Sequence, residues 1–138
     1  VPGLLDALTK PVLENPKTLR KLSGKGMAII VWGCAKVGYR SEPLLELLLD
    51  RLRKKKFRQQ LKHFNIVDLM WAVGELGFVH QKLMTCMAYR IEHHIDAFDC
   101  QQLATLAYAY ARLHFPHKTL MSLLARRACE PDMAATFT

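Results

Sequence analysis

Apolar residues recur along this chain at intervals of three and four, the spacing that places side chains on one face of an α-helix. Met27, Ile30 and Val37 show the pattern within one segment of this kind. The spacing and its interruptions predict three pairs of helices. The first helices are expected over 24–38, 63–77 and 100–114, and the second helices over 42–56, 80–95 and 117–130.

The pairs repeat one another. Trp32 and Trp71 are 39 residues apart, and Tyr108 follows Trp71 after 37 residues. Apolar positions around these aromatic residues coincide at the same two intervals: Met27, Ile66 and Leu103; Ile30, Leu69 and Leu106; Val37, Leu76 and Leu113; Tyr39, Phe78 and Phe115. The chain is therefore predicted to contain helix-turn-helix repeats of 37–39 residues.

Residues at the helix ends support these boundaries. Ser23 and Asp99 are predicted N-caps, because their side-chain oxygens can accept hydrogen bonds from the exposed amides of a first turn. Gly38 and Gly77 stand where a left-handed residue would close a first helix. His114 takes the place of that glycine in the third repeat, so a different turn is expected there.

One helical pair cannot bury its own apolar face, so neighbouring pairs must stack. The predicted fold is all-α, a right-handed α-solenoid of about three and a half helix-turn-helix repeats that form a single domain over 1–138. The divisions are a partial repeat at 1–21, repeats at 22–60 and 61–97, and a repeat with a tail at 98–138. Function is then expected along a surface.

Composition adds a strong positive charge. The chain of 138 residues is 51% hydrophobic and carries a formal net charge of +8. An excess of Lys and Arg favours polyanionic partners, of which nucleic acid is the usual one and an acidic protein is the alternative. Charged residues interrupt every apolar run before the roughly 20 residues that a membrane helix requires, so no membrane insertion is expected.

The sequence does not suggest an active site or a metal site. It has no glycine-rich phosphate loop, no nucleophile beside a base and no carboxylate pair on a common helical face. His93 and His94 are adjacent and would point about 100° apart on a helix. The four cysteines lack CxxC spacing and are expected to be reduced thiols. No enzymatic activity, cofactor, metal or small-molecule substrate is therefore expected.

Three stretches carry a resemblance to a known family: LSGKGMAIIVWGCAKVGY, FNIVDLMWAVGELGF and FDCQQLATLAYAYARLHF. They resemble the octotricopeptide and heptatricopeptide (FAST-kinase-like, RAP-associated) helical repeats of organellar RNA-binding proteins. The matching residues are Leu22, Ser23, Met27, Trp32, Ala35, Lys36, Val37 and Gly38, then Trp71, Ala72, Leu76 and Gly77, then Leu103, Tyr108, Ala109, Ala111, Arg112 and Leu113. The resemblance implies an α-solenoid that binds RNA in a mitochondrion or a chloroplast.

Two groups of basic residues would suit the phosphates of RNA. The first group, here called the arginine ladder, is Arg51, Arg90 and Arg127, which occupy one repeated position of the second helices. The second is a segment without acidic residues, comprising Arg51, Arg53, Lys54, Lys55, Lys56, Arg58 and Lys62. Solvated arginines on an outer face and a solvated basic linker are the alternative interpretations.

Base contacts would require exposed polar residues on the first helices. Candidates share stripes that recur at the repeat interval: Lys36, Asn65, Asp68, Gln102, Thr105 and Arg112. Such a stripe is also what any solvated helix face looks like. Trp32, Trp71 and Tyr108 could stack on bases, but their place within the apolar rows favours packing in the core.

These observations lead to one functional hypothesis and a rival. The hypothesis is an organellar RNA-binding protein, specifically a mitochondrial ribosome subunit that binds and stabilises ribosomal RNA through phosphate contacts and lies beside other protein subunits. A plastid location is the alternative setting. The rival is a structural adaptor in a large organellar complex that binds no RNA directly.

Overall fold

The computed structural model describes residues 20–115 and 117–128, together with Ala7 and Lys17. Seven α-helices lie in these residues: α1 (Gly24–Val37), α2 (Glu42–Leu52), α3 (Lys55–Arg58), α4 (His63–Leu76), α5 (Gln81–His93), α6 (Cys100–Arg112) and α7 (Lys118–Ala128). A 3₁₀ helix, Ile95–Ala97, precedes α6. The described part of the chain contains no strand, which confirms the all-α prediction. The predicted partial repeat at 1–21 and the tail beyond residue 128 fall almost entirely outside the described residues.

The helices lie in two rows. In the first row α4 contacts both α1 and α6, and in the second row α5 contacts both α2 and α7. The rows meet where α1 contacts α2 and where α6 contacts α7. Tyr110 on α6 is fully buried, and its hydroxyl donates to the Met84 carbonyl oxygen of α5 at 2.7 Å. The apolar core therefore lies between the rows.

All three first helices end in the same turn. Gly38, Gly77 and His114 have φ values of 71°, 65° and 53°, each in the left-handed region. The next amide closes each turn by donating to a carbonyl oxygen five residues earlier: Tyr39 to Cys34, Phe78 to Val73 and Phe115 to Tyr110. The expectation of a different third turn is wrong, because His114 adopts the conformation that glycine takes in the other two.

The predicted N-caps of α1 and α6 are confirmed. Ser23 Oγ accepts from the Gly26 amide at 3.0 Å, and Asp99 Oδ1 accepts from the Gln102 amide at 2.8 Å. The Gln102 side-chain oxygen accepts in return from the Asp99 amide at 2.9 Å. This reciprocal pair is a capping box, which fixes the entry of the chain into α6.

Histidines cap two of the second helices, which the sequence reading missed. The Nδ1 atom of His80 accepts from the Leu83 amide at 3.2 Å, and Nδ1 of His117 accepts from the Leu120 amide at 3.1 Å. Ser41 occupies the equivalent position before α2. The repeat interval alone would have identified the position, since a serine at one repeat is a typical N-cap.

The helix predicted over 42–56 is shorter than expected. It ends at Leu52, because Lys54 is extended with ψ 139°, and α3 begins after that break. Dense like charges in this basic segment disfavour a continuous helix. The short helix α3 packs against the start of α1, where a Cβ on Gly24 would collide with the Phe57 carbonyl oxygen.

Candidate nucleic-acid interface

An aromatic row lies on the outer surface of the first helices. Trp32 on α1 is 37% exposed, Tyr108 on α6 is 49% exposed, and Trp71 on α4 is half-buried. The prediction that these rings pack in the core is therefore wrong for Trp32 and Tyr108. Each tryptophan directly follows a fully buried residue, Val31 or Met70, and so points about 100° away from the core side of its helix.

The two tryptophans line a groove of about 500 Å³ that runs across α1, α4 and α6. We call it the aromatic groove. Its lining comprises Trp32 and Lys36 from α1, Phe64, Val67, Asp68 and Trp71 from α4, Asp99 at the start of α6, and Gln101, Gln102 and Thr105 from α6. A second cavity of about 230 Å³ between α1 and α4 shares Trp32 and Asp68 with it. The groove therefore combines ring faces with hydrogen-bonding side chains.

The ammonium group of Lys36 lies close to both tryptophan rings. Its Nζ atom lies 5.1 Å from the Trp32 ring centroid and 4.9 Å from the Trp71 ring centroid. Both distances are within the range in which an ammonium is attracted to the face of an indole. The groove thus contains a cation beside its two largest aromatic surfaces.

Asp68 is exposed and lines the groove. Its carboxylate makes no hydrogen bond or ion pair with any residue in the described part of the chain. An aspartate without a partner beside two indole rings is an acceptor available to a ligand.

A polar cluster lies at one end of the aromatic row. The Tyr108 hydroxyl donates to Glu75 Oε1 at 3.2 Å, and Arg112 Nε donates to the Gly74 carbonyl oxygen at 3.1 Å. Arg112 also donates to the Tyr108 hydroxyl at 3.4 Å. The close approach of α4 and α6 here depends on Gly74, whose added Cβ would lie 3.2 Å from Ala109 Cα.

Four of the six predicted base-facing residues come together in the groove. Lys36, Asp68, Gln102 and Thr105 all line it. Asn65 differs from the prediction: it is only 9% exposed, and its Oδ1 accepts from the Lys62 amide at 2.9 Å. Its side-chain oxygen therefore caps α4. Arg112 lies outside the groove, in the Glu75 and Tyr108 cluster.

Part of the predicted basic segment remains open to solvent. Lys54, Lys55, Lys56 and Lys62 are exposed, and we call these four residues the basic edge. Lys62 is two residues from Phe64, so this member of the basic edge is close in sequence to a groove residue at the start of α4.

The other members of the segment make contacts within the chain. Arg53 donates to Asp50 Oδ1 at 2.8 Å, and Arg58 donates to the Arg53 carbonyl oxygen at 3.0 Å. The Arg58 guanidinium is thereby held against the backbone between α2 and α3.

The arginine ladder makes contacts inside the fold. Arg90 donates to the Arg58 and Leu61 carbonyl oxygens in the segment just before α4. Arg127, 13% exposed, places Nε 3.6 Å from Asp96 Oδ1 in the equivalent segment before α6. Burial and, to a lesser degree, Arg58 lower the pKa of the Arg90 guanidinium.

Arg51 also makes a contact within the chain, since its guanidinium lies 4.9 Å from the Phe57 ring centroid. These contacts differ from the exposed phosphate ladder that the sequence suggested. The arginines at this repeated position instead connect the second helices to the segments between helices.

Comparison with known proteins assigns no family to the chain: no family model matches it, and no curated protein is significantly similar to it. None of the helices in the described ranges is long and apolar enough to cross a membrane. Within the same ranges, no group of three or more His, Cys, Asp or Glu side chains could hold a metal ion.

Proposed function

We propose that this protein binds single-stranded RNA along its first helices, with bases in the aromatic groove and phosphates on the basic edge. The observation that carries the proposal is the row of Trp32, Trp71 and Tyr108, in which Trp32 and Tyr108 are exposed and Trp71 is half-buried, on a chain with a net charge of +8. Exposed aromatic faces stack on unpaired bases, and neighbouring cations hold the backbone.

The architecture we propose is a right-handed α-solenoid of about three and a half repeats. The two rows of helices and the three identical left-handed turns support it. Stacked units of this kind place equivalent side chains in lines across the surface. A line of aromatic residues suits an extended RNA strand, because its bases must unstack from one another to reach successive helices.

The exposure of aromatic rings to water is also unfavourable, and a ligand that covers them removes this cost. Phe64 and Ile29 are 53% and 62% exposed beside Trp32, so the apolar surface extends along the groove. A base covers such a surface with its own apolar face and keeps its polar edge available for hydrogen bonds. Asp68, Gln102 and Thr105 provide partners for that edge.

The setting we propose is an organelle, with a mitochondrial ribosome subunit bound to ribosomal RNA as the particular role and a plastid as the alternative. The resemblance to octotricopeptide and heptatricopeptide repeats supports this setting. Ribosomal RNA would also place other protein subunits beside the solenoid.

A structural adaptor remains the second candidate, favoured by one observation on the opposite surface. Tyr89 on α5 is 64% exposed, and its ring is tilted by 30° against the His93 ring with centroids 4.0 Å apart. An exposed aromatic pair on the second helices suits contact with a protein subunit.

The salt dependence of RNA affinity tests the proposal. Substituting Lys54, Lys55 and Lys56 together by Gln should weaken binding of single-stranded RNA and lower the slope of log affinity against log salt by about 2, at roughly 0.7 per phosphate contact. A matched variant with Lys82, Lys118 and Arg126 changed to Gln removes the same charge from exposed positions on the second helices. Equal losses in both variants, or no RNA binding by the wild type, would contradict the proposed interface.

Association in the organelle is tested separately by ultraviolet crosslinking of the tagged protein and sequencing of the attached RNA. Ribosomal RNA fragments from a large ribonuclease-sensitive particle are expected. A particle of unchanged size after ribonuclease treatment, without crosslinked RNA, would support the adaptor instead.

A further inference from the structure

We propose that the aromatic groove selects an unpaired guanine, which stacks on Trp32 and Trp71 and donates to the carboxylate of Asp68. This inference rests on the proposed function and adds the identity of the base. Asp68 lines both the groove and the adjoining cavity, and Trp32 is beside it in each.

The aromatic surfaces fix where a base would lie. Trp32 and Trp71 come from neighbouring helices, yet the Lys36 ammonium contacts both rings at about equal distances, 5.1 and 4.9 Å from their centroids. A cation in that position marks a place where both π faces are accessible. An incoming base would take the ring faces, and the flexible lysine would move its ammonium to the phosphate of the same nucleotide.

The carboxylate decides which base fits. The Watson–Crick edge of guanine carries two adjacent donors, the N1 hydrogen and the N2 amino group, which match the two oxygens of one carboxylate. Uracil has a single donor between two acceptors on that edge, while adenine and cytosine each place an acceptor beside their amino group. A carboxylate would repel those acceptors, and its bonds to guanine are strengthened by its charge.

Gln102 supports the same choice. Its side-chain oxygen is already committed to the capping box with Asp99, at 2.9 Å from the Asp99 amide. The remaining polar group of its side chain in the groove is therefore the amide nitrogen, a donor. A donor in the same groove as Asp68 suits the O6 acceptor of guanine, which lies next to the N1 donor on the same edge.

Intrinsic fluorescence can report this binding directly, because Trp32 and Trp71 are the two tryptophans of the whole chain. The probes are single-stranded uridine oligomers of about eight nucleotides that differ in one central residue, guanosine or inosine. Inosine is the matched control, since it lacks only the N2 amino group. The guanosine oligomer should bind the full chain about tenfold more tightly than the inosine oligomer.

The Asp68→Asn variant should lose this preference, because an amide offers one acceptor in place of two. It should bind the inosine oligomer about as well as the wild type does. Glu46→Gln is the control, since Glu46 is an exposed carboxylate on α2 outside the groove. That variant should keep the tenfold preference.

Three results would overturn the inference. If the wild type binds both oligomers equally, guanine selection is wrong while the proposed RNA binding stands. If Asp68→Asn keeps the preference, the carboxylate is not the selecting group. If neither oligomer quenches the tryptophans or binds in a filter assay, RNA binding itself fails, and the inference fails with it.

Discussion

His114 occupies a backbone conformation that costs an L-residue free energy, roughly 1–2 kcal/mol relative to the right-handed region. Its φ of 53° matches the turns that Gly38 and Gly77 form without a side chain. The third turn therefore stores local strain that the first two avoid. The surrounding contacts must hold it, including the Phe115 amide bonded to the Tyr110 carbonyl oxygen at 3.1 Å.

Replacing His114 by Gly should stabilise the protein, by about 0.5 kcal/mol, because relief of strain is partly offset by the larger entropy of glycine in the unfolded chain. Gly77→Ala should act in the opposite direction and cost about 1 kcal/mol. Urea unfolding with an unchanged m value measures both effects. A loss of stability in His114→Gly would show that contacts of the imidazole outweigh the strain.

At this scale the sequence located the right positions but not always their surroundings. The repeat interval of Trp32, Trp71 and Tyr108 could be read from the sequence. Their exposure could not, because a side chain at the edge of an apolar stripe can point either toward the core or toward solvent. Asn65 shows the same limit, since an asparagine side chain in the first turn of a helix can face solvent or accept from a backbone amide. The position of Lys36 beside both indole rings depends on how α1 packs against α4, and the sequence of one repeat does not determine that packing.

At the scale of elements, the second helices depend on their caps. His80 is 7% exposed, and its Nδ1 accepts from the Leu83 amide at the start of α5. His80→Ala should cost about 1 kcal/mol of unfolding free energy, because that amide loses its acceptor. His80→Asn supplies another acceptor and should recover most of the loss in thermal unfolding. Equal destabilisation by both substitutions would assign the effect to packing of the imidazole instead.

His63, the first residue of α4, should make the unfolding free energy depend on pH. Burial lowers the pKa of His63 below its ordinary value of 6.5, and His94 and then Arg90 lower it further. The folded protein therefore disfavours the protonated form more than the unfolded chain does. The stabilising effect of a neutral His63 is complete above 6.5 and decreases as the pH falls toward the lower pKa of the folded state.

The measurement is the pH dependence of unfolding free energy in the wild type and in His63→Gln. The variant should show a smaller loss of stability as the pH falls below 6.5. His93→Gln is the control, because His93 is exposed on α5. The same slope in wild type and His63→Gln would contradict the assignment.

Element boundaries could be predicted where both ends carry a chemical signal. The first helices begin at residues 24, 63 and 100 as expected, since caps or a capping amide start them and left-handed turns end them. The end of α2 could not be predicted as well. Nothing between Leu52 and Lys56 is a helix terminator by type, and the break comes from like charges and from the packing of Phe57.

At the scale of the whole molecule, Arg90 connects the second row of helices to the segment that leads into the first row. Arg90→Gln should lower the unfolding free energy by about 2 kcal/mol, because the Arg58 and Leu61 carbonyl oxygens lose a charged donor. The salt slope of RNA binding should stay unchanged, in contrast to the basic-edge variant. Lys82→Gln on the exposed side of α5 should change stability little. A reduced salt slope in Arg90→Gln would instead show that Arg90 contacts RNA phosphates.

The row arrangement followed from the repeat, because apolar positions that recur on both helices of a pair require neighbours on each side. The contacts that join the pairs could not be read in this way. Arg90 and Arg127 occupy an exposed-looking position in the sequence, and only the bend of the preceding segment brings carbonyl oxygens or Asp96 to their guanidinium groups.

The direction of the Arg90 contact has a consequence for how the chain folds during its synthesis. Both carbonyl oxygens that Arg90 binds belong to residues already made when Arg90 leaves the ribosome. Arg127 likewise reaches back to Asp96. Each pair of helices can therefore contact the preceding part of the chain before the following pair is synthesised. This order favours sequential folding from the N-terminal side over a late, simultaneous collapse.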